Sequence, residues 1–298
     1  MMNSPVFGPM KPPFLILTPA CVVLGVATAA FSGASINLLH VVLILAGALC
    51  AHISVNALNE YHDFKSGLDL ITEPTPFSGG SGALPANPHK ANYALITGIL
   101  SLGVTAAVGL YFLYVRGMWL LPLGLLGIVT IVLYTEVITR SPFFCLIAPG
   151  LGFGPLMVMG TDFALTGSYS VVAFIASLVP FFLVNDLLLL NQFPDIDADT
   201  SVGRMHLPIS IGRRKASWVY AFVLIAAYVP ILAGYALGEF PVWSLLGLGT
   251  IFLAGITIRG VVHYADDIPG LLPYMTRNVI INIATPVLLA VGLFVQQG

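Results

Sequence analysis

Residues 171–199 read Val171-Val-Ala-Phe-Ile-Ala-Ser-Leu-Val-Pro-Phe-Phe-Leu-Val-Asn-Asp186-Leu-Leu-Leu-Leu-Asn191-Gln-Phe-Pro-Asp195-Ile-Asp197-Ala-Asp199. The first part, 171–190, is almost wholly apolar and as long as the ~20 residues a helix needs to cross a bilayer. The second part turns abruptly acidic. A membrane helix that runs straight into a cluster of carboxylates sets the pattern for the whole chain. Of 298 residues, 58% are hydrophobic and 8% are charged, against about 25% charged in a soluble domain. With a mean hydropathy of +0.97, most of the surface must face lipid or other apolar helices. A net charge of −2 excludes the basic footprint of a nucleic-acid binder.

Apolar runs separated by polar or Gly/Pro breaks predict about nine membrane helices, at 14–31, 38–58, 93–115, 119–138, 143–161, 171–190, 218–237, 242–262 and 274–295. The expected fold is therefore all-α: one polytopic membrane domain over 1–298, with its helices around a central cavity and a polar cap at one end. No small-residue cleavage site follows the first run, which argues against a signal peptide. Cys21, Cys50 and Cys145 each lie in an apolar run, as packing residues do.

Two connections, 59–89 and 191–215, are long, polar and hold most of the acids. Each follows an even-numbered span, so both fall on one side of the membrane. With the N-terminus inside, Lys11, Lys65, Lys90, Arg140, Arg204, Arg213, Arg214, Lys215, Arg259 and Arg277 are cytoplasmic, and only Arg116 of the 11 basic residues is outside. This is a positive-inside pattern, and it places the acidic segments on the cytoplasmic side of the inner (cytoplasmic) membrane.

In the first segment, His52, Asn56, Asn59 and Asp63 are spaced to share one helical face. In the second, Asn191, Asp195 and Asp199 recur at four-residue intervals, while Asp197 points roughly the opposite way. Asn-x-x-x-Asp thus occurs twice, each time at the end of a span. Oxygen ligands so arranged suit Mg²⁺, which takes carboxylates together with substrate phosphates. Facing clusters of this kind can hold a diphosphate through the cation, with Arg204 and Lys65 as direct phosphate contacts. The plainer reading of any one of these acids is a solvated helix cap.

Other features stay open. Residues 76–82 (Pro-Phe-Ser-Gly-Gly-Ser-Gly) suit a lid, a phosphate nest or a simple linker. Asp186 lies inside the sixth span and is either functional or bonded to a neighbouring helix. Glu136 and Arg140 are spaced for an ion pair, and Arg140 is alternatively a diphosphate contact.

At its two acidic segments the sequence resembles the UbiA superfamily of intramembrane prenyltransferases, most of all the 1,4-dihydroxy-2-naphthoate prenyltransferases. Asn59-Glu60-Tyr61-His62-Asp63 with the later Asp69 is similar to the first family motif, with Glu60 in place of the usual Asp. Asp195 to Asp199, followed by Gly203-Arg204, is similar to the second, and Tyr134-Thr135 to Arg140-Ser141-Pro142 resembles the segment after the fourth span. The resemblance covers nearly the whole chain. It implies that Asn59, Asp63, Asp195 and Asp199 bind Mg²⁺ and a polyprenyl diphosphate, and that ionisation gives an allylic cation. It also implies a small aromatic acceptor, in quinone-type lipid synthesis, and a cavity open sideways to lipid. Asp69, Asn191, Arg140, Lys65 and Arg204 are the further expected substrate contacts. Transfer to a haem, a chlorophyll precursor or a lipid alcohol is the alternative within the class. An ion-coupled transporter is the alternative outside it, although transporters place such groups near the midplane on interrupted helices.

Overall fold

A computed structural model describes residues 4–295, and among them there is no strand. Eight helices among the described residues are long and apolar enough to cross a membrane: Pro12–Phe31, Leu38–Ser66, Pro88–Arg116, Pro142–Thr166, Val171–Asn191, Arg213–Ala236, Val242–His263 and Ile268–Val295. A shorter apolar helix, Met118–Leu133, takes the fourth place. The chain is an all-helical membrane protein, and helices one to nine below follow this chain order. Their outer faces carry large exposed apolar side chains such as Leu100, Trp119, Phe222 and Phe252, as a surface solvated by lipid requires.

The fourth helix is shorter than the expected 119–138. It stops at Leu133 because residues 134–137 turn, with the Thr139 amide donating to the Tyr134 carbonyl. The Thr139 hydroxyl takes the Thr135 carbonyl at 2.5 Å, and Ser141, ahead of Pro142, is extended. A residue before proline is driven out of the helical region, so this segment becomes a corner. The second helix is longer than expected. Asn37 caps it, its Oδ1 accepting from the Leu39 and His40 amides at 2.9 and 3.3 Å, and Gly67 ends it in the left-handed region at φ 83°. Asn59 and Asp63 therefore lie within regular helix.

The fifth helix carries Pro149 and Pro155 and is π-helical over Gly152–Met159. Its glycines allow a very close approach to the sixth helix: a Cβ on Gly150 would strike the Phe181 carbonyl and Asn185, and one on Gly154 would strike the Ser177 carbonyl. Small residues at a membrane helix contact serve this purpose. The Gly150 amide donates to Asn185 Oδ1 at 2.6 Å across the same seam.

Two apolar clusters hold the bundle. The larger joins the first helix to the sixth through ninth, through Leu24, Leu183, Tyr220, Val261 and Leu289, and the smaller joins it to the second, third and fifth, through Val22, Ile44, Phe112 and Phe163. Between them lies a cavity.

Candidate functional site

The acidic segments meet at one end of this cavity. Asp63, near the end of the second helix, is buried and hydrogen-bonded by the Arg204 guanidinium. A second guanidinium nitrogen of Arg204 donates to Asp199 Oδ1 at 2.9 Å, and the other Asp199 oxygen lies 3.0 Å from His206 Nε2. Local sequence explains how Arg204 reaches back. The short helix Ile196–Ser201 ends at Gly203, φ 78°, whose amide bonds the Thr200 carbonyl at 3.1 Å while the Arg204 amide bonds that of Asp199 at 3.1 Å. This paired closure needs a residue at positive φ, which glycine supplies without strain.

The expected continuous face of Asn191, Asp195 and Asp199 is interrupted. The sixth helix ends at Asn191, Pro194 follows, and Asp195 stands at the N-cap of the next short helix with φ −90° and ψ 0°. Proline cannot donate to the preceding turn, so the ladder breaks there. Asp195 and Asp199 remain one turn apart, the Asp199 amide bonding the Asp195 carbonyl at 2.8 Å. Asp197 is exposed, as its register predicts.

Asp69 lies off the helical register, yet the left-handed turn at Gly67 brings it back to the cluster. A Cβ on Gly80 would sit 2.6 Å from its Oδ1. The residue 76–82 segment is laid over the acids: the Ser81 amide donates to Glu60 Oε1 at 2.9 Å, the Ser81 hydroxyl bonds the same oxygen, and Ser78 bonds Asp195. Gly79, Gly80 and Gly82 all have positive φ, which lets the backbone fold this tightly. Lys11 completes the group with its Nζ 3.7 Å from Glu60 Oε2. It is the one non-glycine residue at positive φ among the described residues, a conformation uncommon enough to mark a positional demand.

The electrostatics follow from burial and crowding. Burial, then the Asp199 charge, pushes the Asp195 carboxyl up to about 6, against the pull of Ser78, Lys11 and Arg204. Burial, then Glu60 and Asp63, pushes Asp69 up to about 8. Burial draws the Arg204 guanidinium down, but Asp63 and Asp199 outweigh it and hold its proton more tightly than usual.

The donor set fits a hard cation. Asp69 Oδ2, Asn191 Oδ1 and Asp195 Oδ1 are buried oxygens that accept no hydrogen bond, and Glu60 Oε2 has only the Lys11 ammonium 3.7 Å away; oxygens short of donors are what Mg²⁺ coordinates. No three His, Cys, Asp or Glu side chains converge closely enough to hold a metal alone among the described residues. Mg²⁺ ordinarily fills such a shell with substrate phosphate oxygens and water.

Behind the acids, the cavity measures about 570 Å³ and is walled by the first six helices and the ninth. Lys11, Asn56, Asn59, Tyr134 and Asn191 are among its lining, while Ile44, Phe112, Leu123, Leu156 and Ile283 make apolar wall. Ile16, Leu110 and Leu125 line it and are also more than half exposed, so it reaches the lipid-facing surface beside the first, third and fourth helices. Asn59 bonds Thr135 at 3.4 Å, tying the second helix to the corner after the fourth.

Two expected substrate contacts lie elsewhere. Lys65 is exposed and packs 5.6 Å from the Tyr61 ring centre, because its register sets it on another face than Asp63. Arg140 is exposed in the corner after the fourth helix, and Glu136 pairs with His62 at 3.1 Å rather than with Arg140, since the helix that would align them has ended. Sequence reasoning missed Lys11, Ser78, Ser81 and His206. The last stands two residues after Arg204, and nothing in the sequence shows that it faces Asp199.

Comparison with known proteins agrees with this fold. A family model described as "UbiA prenyltransferase family" matches residues 17–268. The 1,4-dihydroxy-2-naphthoate octaprenyltransferase of Bacillus subtilis is 26% identical over 92% of this chain and 87% of its own. A digeranylgeranylglyceryl phosphate synthase of Thermococcus gammatolerans is 28% identical over 62% of this chain and 63% of its own. Among solved structures, a UbiA homolog from Archaeoglobus fulgidus bound to GPP and Mg²⁺ superposes with a TM-score of 0.61, at 12% identity, over 97% of this chain and 99% of that one.

Proposed function

The chain belongs to the UbiA prenyltransferase family, and from that premise we propose that it moves a polyprenyl group from its diphosphate to a small aromatic acceptor of the 1,4-dihydroxy-2-naphthoate kind. One observation carries the reading: Arg204 draws Asp63 and Asp199 together, and Asn59, one helical turn before Asp63, lines an apolar cavity. A prenyl diphosphate has the matching division, with a highly charged head and a long apolar tail. The name of the Bacillus subtilis relative favours the naphthoate acceptor. The Thermococcus gammatolerans relative keeps a lipid alcohol as the second candidate.

In this reading Asn59, Asp63, Asp195 and Asp199 would hold Mg²⁺ with the diphosphate, and Asp69 and Asn191 would add their free oxygens to the donor set. When bound, the cation offsets the negative charge that builds on the departing diphosphate. Arg204 and Lys11 add fixed positive charge on the same side. The C1–O bond breaks, diphosphate leaves with the electron pair, and the allylic cation stays in the apolar cavity. Its walls keep water from the cation, which would otherwise be quenched as an alcohol. A ring carbon of the acceptor then forms the new bond to C1, and the ring regains aromaticity by losing a proton or its carboxyl group as CO₂. The same reading sets the acidic end on the cytoplasmic side of the cytoplasmic membrane, which the distribution of basic residues supports.

The test is direct transfer. Purified protein is incubated with labelled geranylgeranyl diphosphate, Mg²⁺ and a panel of aromatic and lipid-alcohol acceptors, beside Asp63→Ala and Asp195→Ala. Transfer to an aromatic acceptor that both substitutions abolish is the expected result. Transfer only to a lipid alcohol would move the reading to the second candidate, and full transfer by both variants would remove the metal site from it.

A further inference from the structure

Polar side chains reach the cavity wall from two directions. Asp186, buried in the sixth helix, accepts at Oδ1 from the amides of Asn278 and Asn282 on the ninth, at 2.9 and 3.4 Å. Its other oxygen and Asn282 Oδ1 are enclosed by protein, so this seam is a contact between helices. The second helix is different. Ala48, His52, Val55, Asn56 and Asn59 share one of its faces and all line the cavity. His52 Nδ1 is bonded to the Thr18 hydroxyl at 2.9 Å. Phe153 stands nearly perpendicular to the imidazole, with 4.8 Å between ring centres, and fixes its plane. Among the described residues nothing hydrogen-bonds His52 Nε2, yet that atom is not enclosed as the seam oxygens are. Its open edge faces the cavity.

Hydrogen-bond accounting places the imidazole hydrogen. Thr18 is fully buried, and His52 is the only partner of its hydroxyl among the described residues. The hydroxyl hydrogen therefore goes to Nδ1, since leaving it unbonded would cost about 1–3 kcal/mol. An imidazole that accepts at Nδ1 carries its own hydrogen on Nε2. His52 thus presents an N–H to the cavity. One turn closer to Asp63, Asn56 gives its amide to the Met10 carbonyl at 3.1 Å. That bond sets the orientation of the Asn56 amide and leaves Oδ1, which is not enclosed either, without a donor. Residues four apart on a helix have Cβ atoms about 5–6 Å apart, so one small group can touch both. The pair offers one donor and one acceptor, which is what a hydroxyl needs.

We propose that His52 and Asn56 receive a ring hydroxyl of the prenyl acceptor, with Nε2–H donating to the hydroxyl oxygen and the hydroxyl donating to Asn56 Oδ1. The inference rests on the prenyl-transfer reading and names how its second substrate is held. A carboxylate suits the pair poorly. Asn56 Oδ1 would repel it, and the one lysine or arginine among the described lining residues, Lys11, lies beside Glu60. His52 precedes Asp63 by 11 residues of regular helix, about 16 Å along the axis. The acceptor ring therefore lies between its anchored hydroxyl and the diphosphate end. His52 and Asn56 touch substrate, whereas Thr18, which fixes the His52 hydrogen, is a positioning residue.

The experiment measures transfer from labelled geranylgeranyl diphosphate, with Mg²⁺, to 1,4-dihydroxy-2-naphthoate in wild type, His52→Phe, His52→Gln and Thr18→Val. Phenylalanine keeps a planar ring without the N–H, and glutamine returns an amide N–H near the place of Nε2. His52→Phe should raise the KM for the naphthoate about tenfold, the scale of one hydrogen bond. The KM for the prenyl diphosphate should move far less, and His52→Gln should recover most of the loss. An unchanged naphthoate KM in folded His52→Phe, or an equal rise for both substrates, would overturn the inference and leave His52 as a packing residue. If the phenylalanine variant does not fold, Thr18→Val decides, because it frees the imidazole hydrogen to sit on either nitrogen. A severalfold rise confined to the naphthoate supports the inference there, and no rise overturns it. If wild type binds prenyl diphosphate with Mg²⁺ yet transfers to no hydroxylated aromatic acceptor, the underlying reading fails, and the inference fails with it.

Discussion

Arg204 hydrogen-bonds Asp63 across 141 residues of chain, and the same guanidinium holds Asp199 at 2.9 Å. Two acidic segments on different helices are thereby fixed around one cation of the protein's own. Asp63 and Asp199 are buried and Arg204 is mostly covered, so removing the cation leaves carboxylates with little solvent to screen them.

Arg204→Ala should destabilise the protein by about 3–5 kcal/mol, the usual penalty for breaking a buried pair on one side. Arg204→Lys should recover only part of this, because an ammonium lacks the planar fork that bonds two carboxylates at once. Millimolar Mg²⁺ should restore part of the loss in either variant by supplying charge at the same acids. Thermal unfolding in detergent, with Mg²⁺ or with chelator, measures both effects. Indifference of the alanine variant to Mg²⁺ would count against a cation site there.

The pH dependence of the metal-free protein follows from Asp195 and Asp69, held up at about 6 and about 8 against an ordinary value near 3.9. A carboxyl whose folded value is raised binds its proton more tightly in the folded state. Its stabilising contribution is present below about pH 4 and is lost as the pH rises through about 6 and then about 8. With chelator present, the unfolding temperature should therefore fall between about pH 5 and about pH 8.5. Stabilisation by Mg²⁺ should grow over the same interval, since the cation binds the ionised form. A flat profile under both conditions would show that these carboxyls are not crowded as described.

The strap over the acids depends on Glu60. Ser81→Ala removes one of the two hydrogen bonds that Ser81 gives Glu60 Oε1, worth about 1.5–3 kcal/mol when the acceptor is charged. Because the strap packs on the end of the bundle rather than inside it, global stability should change little. Amides of residues 75–82 should exchange hydrogen at least about tenfold faster than in wild type, by local opening. Equal exchange rates would mean that the glycine-rich backbone holds itself.

Gly127 lies on the cavity wall with only Leu156 Cδ1 near a would-be Cβ, at 3.9 Å. Gly127→Leu adds side chain toward that wall and also favours helix by about 1 kcal/mol, so the protein should fold. The variant should accept dimethylallyl or geranyl diphosphate and lose activity with geranylgeranyl diphosphate. An unchanged chain-length preference would place the prenyl tail elsewhere.

Much of this architecture was readable from apolar periodicity. Helix positions were legible because lipid forces every span to satisfy its own backbone bonds within one apolar run. The Asn59–Asp63 face was legible for a related reason, since both residues sit in uninterrupted helix. Asp195 was placed less well because Pro194 breaks the register in a way that spacing alone does not reveal. Lys65 and Arg140 were expected at the diphosphate on charge, but helix rotation and an early helix end turn them outward. Lys11, Ser78, Ser81 and His206 join the site only through tertiary contacts between segments far apart in the chain. The role of Asp186 as partner of Asn278 and Asn282 was undecidable before the ninth helix was seen beside the sixth.

The most direct test of the central claim is the binding of labelled geranylgeranyl diphosphate to the purified protein, with and without Mg²⁺, in wild type, Asp63→Asn and Asp195→Asn. Asparagine keeps the shape of each side chain, removes its charge and turns one acceptor oxygen into an amide donor. The account predicts tight binding by wild type only when Mg²⁺ is present, weakened by about 10–100-fold in both variants, the scale of a perturbed metal shell. Binding that ignores Mg²⁺, or that both variants retain in full, would contradict it.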